Sequence, residues 1–351
     1  MSEGITVGVD MGDKNHNVCV LDAKGEVLSR TSVTNTAEAI RKYFGGLAPC
    51  RVALEAGTHS RWVSQILEAL GHEVLVGNPR KLRVIWDSDE KDDDRDAEML
   101  ARIARFDPHL LYPIHHRGPQ AQRDLAVIKA RDMLVKSRAA LITHVRGAVK
   151  AMGQRITRCS AETFHRRLLE EMPVEMIPAL EPIMKSIEDL TGRIRHYDKL
   201  IEQLCTEQYP HTAGLRAIGG VGPVTTLAYV LTLEESSRFA KSRAVGPFLG
   251  LTPKRDKSGQ TDKQLRITKA GDAYLRRLLV GCAQYILGAF GPDCDLRRFG
   301  LKLAARGGKN AKRRAVVAVA RKLAVLMHQL WKSGEAYDPF YQQKRKAKKA
   351  A

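Results

Sequence analysis

Four carboxylates in the first hundred residues are spaced so that they could handle a phosphodiester. Asp10 ends a β-branched run in GVDMG and Glu55 ends another in ALEAGTHS. Asp93 and Asp96 lie in KDDDRDAEMLA, which reads as the start of a helix. A spacing of three puts the last two on one helix face, and carboxylates at strand ends can converge with them on one point. Left uncompensated, such a group repels itself by several kcal/mol at low effective dielectric. A hard divalent cation removes that repulsion. Mg²⁺ takes oxygen ligands and keeps positions open for phosphate and water. A pair of such ions stabilises both the attacking and the leaving oxygen of an in-line displacement. Each carboxylate alone has an ordinary structural role: Asp10 closing a turn, Glu55 capping a helix, Asp93 and Asp96 favoured by the helix dipole. Their joint placement carries the reading.

Those side chains need a sheet beneath them. ITVGVDM, HNVCVLD and VLSRTSV form a three-strand meander, the last two joined through AKGE. TAEAIRKYF is helical, RVALEA is a buried strand, SRWVSQILEALG is a helix ending at Gly71, and EVLVGN is another strand. The order βββαβαβ followed by helices predicts a mixed-sheet α/β domain. From Gln120 to about Met152 the sequence is helical and rich in Arg, Lys and Ala. Leu180, Ile183, Ile187, Leu190, Ile194, Tyr197, Ile201 and Leu204 then alternate spacings of three and four, a sustained heptad seam. Pro182 fits in its first turn. Two such helices suggest a coiled-coil hairpin or an oligomerisation arm, with a local bundle as the plainer alternative. From Gly214 a third unit begins, Gly-punctuated, basic and mostly helical, closing on a long helix from Ala311 to Trp331.

A chain of 351 residues accommodates two or three domains. The charge is unevenly divided. Residues 1–100 carry 12 Lys+Arg against 17 Asp+Glu, a net of −5, so of the overall +19 the remainder holds +24. An acidic first domain joined to a strongly basic remainder is the footprint of a polyanion partner, nucleic acid ahead of a membrane surface. The six cysteines show no CxxC or zinc spacing and read as reduced thiols of a cytoplasmic protein. A strand begins a few residues from Met1, where a signal peptide would stand. No apolar run approaches a membrane span. The tail from Lys344, KRKAKKA, reads as a disordered basic extension.

A second candidate region lies in the basic part. Ile218-Gly219-Gly220-Val221-Gly222 opens a helix and resembles a helix–hairpin–helix turn. There Gly220 and Gly222 would let the backbone approach a phosphate at a helix N-terminus; a plain turn between helices is the alternative. Further on, Lys254, Arg255, Lys257, Lys263, Arg266, Lys269, Arg276 and Arg277 are candidates for holding nucleic acid. Ser258 stands among them, before Gly259. A serine hydroxyl is a weak nucleophile that needs activation, and taken alone this dipeptide reads as a turn.

GVDMGDKNHNVCVLDAKGE is similar to the first phosphate loop of actin-like sugar kinases and ATPases. The second Asp-Gly loop and the Gly-rich adenosine motif that such enzymes need are not found. The whole set of motifs resembles another family, the DEDD-type transposases of bacterial insertion sequences, known as RNA-guided bridge recombinases. GVDMGDKNHNV, ALEAGTHS and KDDDRDAEMLA match its Holliday-resolvase-like domain. AIGGVGPVTTLAYVL, FLGLTPKRDKSG and ITKAGDAYLRRLLVGCA match its transposase domain, and AVVAVARKLAVLMHQLWKSGEAYDP its closing helix. One departure is Asp92, where the family usually has Thr. It leaves Asp92, Asp93 and Asp94 adjacent, and Asp93 is taken because it stands three before Asp96.

The resemblance implies an α/β plus α architecture. A ribonuclease H-like mixed-sheet domain would span 1–117, coiled-coil helices 118–207, a mostly helical transposase domain 208–343 and the basic tail 344–351. It implies Mg²⁺ held by Asp10, Glu55, Asp93 and Asp96, and Ser258 as the nucleophile that forms a phosphoserine link to DNA. It also implies donor and target DNA, a structured noncoding guide RNA read mainly by shape, and a dimer or tetramer. Two other readings stand beside it: a hydrolytic junction endonuclease using the carboxylates alone, and a non-enzymatic nucleic-acid scaffold.

Overall fold

The computed structural model describes residues 4–82, 93–342 and 344, without the side chains of Asp93 and Gln264. Asp92 and the basic tail beyond Lys344 lie outside the described residues. The chain divides into two compact units, Met1–His116 and Arg117–Ala351.

In the first unit, β1 (Thr6–Met11), β2 (Asn15–Leu21) and β3 (Val27–Thr34) form the antiparallel meander, and β4 (Arg51–Glu55) and β5 (Glu73–Gly77) run parallel to β1. The sheet order is β3-β2-β1-β4-β5. Alternation along the strands sorts the core into two faces. Val7, Val9, Val18, Val20, Val52 and Leu54 pack with Ile40 and Phe44 of α1 (Ala37–Gly45) and Val63 and Leu67 of α2 (Ser60–Ala69). Thr36 caps α1 by accepting the Ala39 N–H. The other face, with Cys19, Leu21 and Ala53, meets Ala97, Leu100, Ala101 and Ala104 of α3 (Asp93–Phe106). Small residues on α3 let it lie close to the sheet.

The second unit starts with α4 (Pro119–Ala151), whose proline at the first helical position costs no hydrogen bond. After α5 (Phe164–Glu171) the chain returns as α6 (Ile177–Gln203). The two long helices are antiparallel. Val145 and Val149 of α4 cluster with Leu180 and Ile187, while Leu125 and Ile128 cluster with Ile201 and Leu204. Leu180, Ile187, Ile194 and Ile201 are buried within the single chain. One side of the heptad seam therefore packs intramolecularly as a helical hairpin, while Ile183, Leu190 and Tyr197 stay partly exposed.

Beyond it come α7 (Thr212–Arg216), α8 (Pro223–Leu233), α9 (Val245–Phe248), β6 (Pro253–Ser258), β7 (Thr261–Ile267), α10 (Ala273–Leu287), α11 (Asp295–Ala304) and α12 (Ala311–Ser333). Helix α8 is buried from Thr225 to Leu233, which its unbroken apolar and threonine sequence allows. Around it pack Leu279 and Ala283 of α10 and Leu323 and Met327 of α12. The Tyr229 hydroxyl donates to the Ala324 carbonyl at 2.6 Å, satisfying the one polar atom this side chain carries into the core. Among the described residues, no helix is long and apolar enough to cross a membrane.

Candidate active site

Strand register brings the first two carboxylates together. Val9 pairs with Leu54 in the parallel ladder, so Asp10 and Glu55, one residue further on, leave the sheet as neighbours at the strand ends. Alternation also fixes their face. Ala53, two residues before Glu55, packs against α3, as does Gly8, two residues before Asp10. Asp96 sits in the first turn of α3, immediately before Ala97 of that interface.

Electrostatics couple these three groups. Burial pushes the Glu55 carboxyl up to about 7, and the charges of Asp10 and Asp96 add to the shift. A carboxyl held near neutrality by desolvation and by like charges is the pattern seen where function needs a perturbed group. Asp93 is the first residue of α3, three before Asp96, and its side chain lies outside the described residues. Among the described residues, no three His, Cys, Asp or Glu side chains already stand in a metal-holding arrangement. The donor set itself suits a hard cation: all oxygen, half-buried and mutually repelling.

Two histidines beside this point escaped the sequence analysis. His16 pairs with Met11, so it lies on the opposite face of the sheet at the same edge. It is buried, and the Asn35 side chain is a polar neighbour of its ring. Burial holds its pKa below the usual imidazole value; the Asn35 side chain opposes this and His59 reinforces it. His59 lies 3.5 Å from a carboxylate oxygen of Asp13, and its ring centroid is 6.4 Å from that of His16. The visible signal was their position in GDKNHNV and AGTHS, directly after Asp10 and Glu55.

In the second unit, the segment around Ser258 is an antiparallel ribbon of β6 and β7. Ser258 pairs with Thr261, leaving Gly259 and Gln260 as a two-residue turn. Gly259 has φ +53, the left-handed value that the first turn position of a tight hairpin demands of glycine. Ser258 is exposed and shares its face with Asp256 and Lys263, while Lys257 and Arg255 point the other way beside Asp262. The Arg255 guanidinium donates twice to the Asp262 carboxylate, at 2.7 and 2.5 Å. Lys254 is exposed on the same ribbon, Arg266 lies near its base, and Lys269 just beyond it has φ +55.

The remaining candidates have protein contacts of their own. Arg276 donates to the Leu249 and Ala270 carbonyls at 3.0 and 2.7 Å. Arg277 reaches Asp132 at 2.6 Å and lies over the Tyr274 ring. Gly220 has φ +84, and a β-carbon there would stand 2.5 Å from the Tyr285 ring. Its missing side chain makes room for that aromatic. Gly222, at the N-terminus of α8, has no atom within 4 Å of where a β-carbon would stand. It is the glycine of the pair that a phosphate could approach.

A carboxylate cluster at adjacent strand ends, joined in one chain to a basic helical unit, defines an enzyme that acts on nucleic acid. The comparisons with known proteins sharpen this. The profile of the DEDD transposase of IS110 matches residues 7–153, and that of the IS116/IS110/IS902 transposase family matches residues 213–295. Both profiles are of transposases, and with the relatives they identify this chain as a transposase, an enzyme that cleaves and recombines DNA. It is 26% identical to a probable family 20 transposase of Pseudomonas aeruginosa, over 95% of this chain and 98% of that one. It is 27% identical to the transposase of the insertion sequence IS1111A of Coxiella burnetii, over 94% of this chain and 90% of the relative. The IS1328 transposase of Yersinia enterocolitica is 27% identical over 79% of this chain and 82% of its own.

Proposed function

We propose that this transposase cuts and rejoins DNA through a covalent phosphoserine intermediate, using the first unit as a ribonuclease H-like metal site. The observation that carries the metal site is the Glu55 carboxyl, raised to about 7 by burial and by Asp10 and Asp96. The strand order β3-β2-β1-β4-β5, with an antiparallel meander continued by parallel strands, supports the ribonuclease H-like assignment. Asp10, Glu55, Asp93 and Asp96 would hold Mg²⁺. Bound there, the ion would supply Lewis-acid stabilisation of charge on the phosphate oxygens.

Ser258 would supply the nucleophile. Its hydroxyl oxygen attacks phosphorus, the bond from phosphorus to one strand oxygen breaks, and the hydroxyl proton ends on that departing oxygen. A hydroxyl of a second strand end then attacks the phosphoserine and releases the serine. Each step exchanges one phosphoester bond for another, so no external energy source is needed. The +24 charge beyond residue 100 supports a role in gripping donor and target DNA together with a structured guide RNA.

A hydrolytic endonuclease reading is favoured by one feature: Ser258 is exposed beside a hairpin turn, and its hydroxyl makes no side-chain hydrogen bond among the described residues. The experiment that separates the two is a search for a protein–DNA adduct after incubation with Mg²⁺ and a DNA substrate carrying the element's ends. The wild-type chain should form an adduct that Ser258→Ala does not. DNA cleavage by Ser258→Ala at the wild-type rate would leave the hydrolytic reading standing.

A further inference from the structure

A large open groove of the second unit lies beyond the residues considered so far except at its edge. It runs between α11, α12 and the segment 241–243, and one wall is the base of the β6–β7 hairpin, through Leu265, Arg266 and Ile267. At about 2250 Å³ it exceeds the few hundred to about 1,000 Å³ of a small-molecule site. Eleven lysines and arginines line it against two carboxylates, Asp295 and Asp338, so its occupant is a polyanion.

Helix periodicity builds this groove. On α12, Ala315, Val319, Leu323 and Met327 are buried in the core. Arg314, Val317, Ala318, Arg321, Val325 and Gln329 form a separate stripe that lines the groove. On α11, Phe299, Lys302, Leu303 and Arg306 do the same. Lys302, Arg306, Arg313, Arg314 and Arg321 are exposed, and none has an ion-pair partner among the described residues. The floor between these cations is apolar, with Val317, Val325, Leu326 and Leu303.

We infer that this groove holds a single strand of DNA, its phosphates on the α11 and α12 cations and its bases against the apolar floor, leading to the hairpin that carries Ser258. The composition of the lining selects the strand state. A duplex presents phosphates and sugars outward and would leave an apolar floor unused. An unpaired strand offers base faces that pack on such a floor while the backbone follows the cations. The apolar side chains of the floor, Val317, Val325, Leu326 and Leu303, also favour deoxyribose over a sugar whose 2′-hydroxyl seeks a partner. The inference rests on the reading that the chain cuts and rejoins DNA, and it supplies that reading with a path for the strand.

The test is fluorescence anisotropy with the full chain in EDTA, so that binding is measured without cleavage. The probes are a fluorescein-labelled 20-nucleotide oligo-dT, an oligo-U of equal length, and a duplex of the same length. Arg314→Ala/Arg321→Ala should weaken oligo-dT binding tenfold or more and lower the salt slope by about 1.4, two single-strand phosphate contacts. Val325→Asn, on the floor, should weaken oligo-dT binding several-fold and leave duplex binding unchanged. Unaltered oligo-dT affinity in the double variant overturns the inference. So does a duplex affinity that falls as far as that of oligo-dT, or oligo-U binding tighter than oligo-dT. Thermal melts of both variants matching the wild type show that the fold is intact. Loss of adduct formation with normal groove binding would instead count against the phosphoserine reading alone.

Discussion

Ala97 lies so close over Gly8 that a β-carbon at residue 8 would come within 1.9 Å of the Ala97 carbonyl oxygen and 2.6 Å of the Ala101 nitrogen. Glycine here lets α3 rest on β1, and the residue before Ala97 is Asp96. Gly8→Ala should lift the helix from the strand and carry Asp96 away from Asp10 and Glu55. The expected cost is about 1–3 kcal/mol, the usual penalty of overpacking. Mg²⁺-dependent cleavage should fall well beyond the unfolded fraction. A melting curve and a nicking assay on one preparation check both.

Asp10→Asn and Glu55→Gln should each abolish strand cleavage with the fold intact. Either change removes repulsion in the apo protein, so its stability should rise by on the order of 1 kcal/mol after allowing for solvent screening, and its melting temperature with it. Cleavage that persists with an unchanged Mg²⁺ requirement would sink the metal site. Asp93→Asn should damage cleavage far more than Asp92→Asn, and the reverse result would move the third ligand by one residue.

Ile187 and Ile194 are buried between α4 and α6 within one chain. Ile187→Asp and Ile194→Asp should therefore destabilise the second unit, by about 4 kcal/mol or more for an unpaired buried charge. Circular dichroism melts read this directly. Variants that melt like the parent and differ only in the mass of the assembly would return the seam to an intersubunit role.

His328 on α12 predicts a dependence on acid. It is buried, Nε2 lies 2.9 Å from the Ser236 carbonyl oxygen, and Nδ1 lies 2.9 Å from the Ser242 hydroxyl. Burial holds its pKa below the ordinary 6.5, the Ser236 bond opposes this, and the Lys332 charge adds to the lowering. The unfolded chain then binds the extra proton more readily than the folded one. The stability from neutral His328 is full above pH 6.5 and is lost as pH falls from there towards the folded value. His328→Gln should flatten that part of the melting profile, and an equally steep profile in the variant would assign the effect elsewhere.

The carboxylates and Ser258 belong to separate units of the chain, which raises the prediction that the working site is composite, with Ser258 of one copy beside the carboxylates of another. Ser258→Ala and Asp10→Asn proteins, each inactive alone, should form the DNA adduct when mixed. Mixed oligomers that yield no adduct at any ratio would show that each chain works on its own.

Much of the first unit was legible because its strands announce themselves. The strands Thr6–Met11 and Arg51–Glu55 run buried on both faces until they reach Asp10 and Glu55, so register alone makes these two carboxylates neighbours. The ribbon around Ser258 was hidden because both strands are solvated and charged, with no apolar alternation to mark them. The heptad pattern of α6 gave an apolar stripe without naming its partner. Val145 and Val149, which cover one end of it, sit in a helix whose charges obscure any stripe. The cationic groove was invisible for a similar reason. Arg314 and Arg321 looked like ordinary solvated helix charges until the neighbouring helix supplied a second wall.

The two-residue turn after Ser258 has a consequence for safety in the host. Gly259 meets no atom within 4 Å of where a β-carbon would stand, so the tip projects into open solvent. On the proposed reading, a hydroxyl there keeps its ordinary, sluggish reactivity until a substrate brings its own surroundings to it. The resting protein is then chemically quiet by construction. A cell could carry many copies of it without accumulating chromosome breaks, and the frequency of movement would follow how often complete complexes form rather than how much enzyme is made.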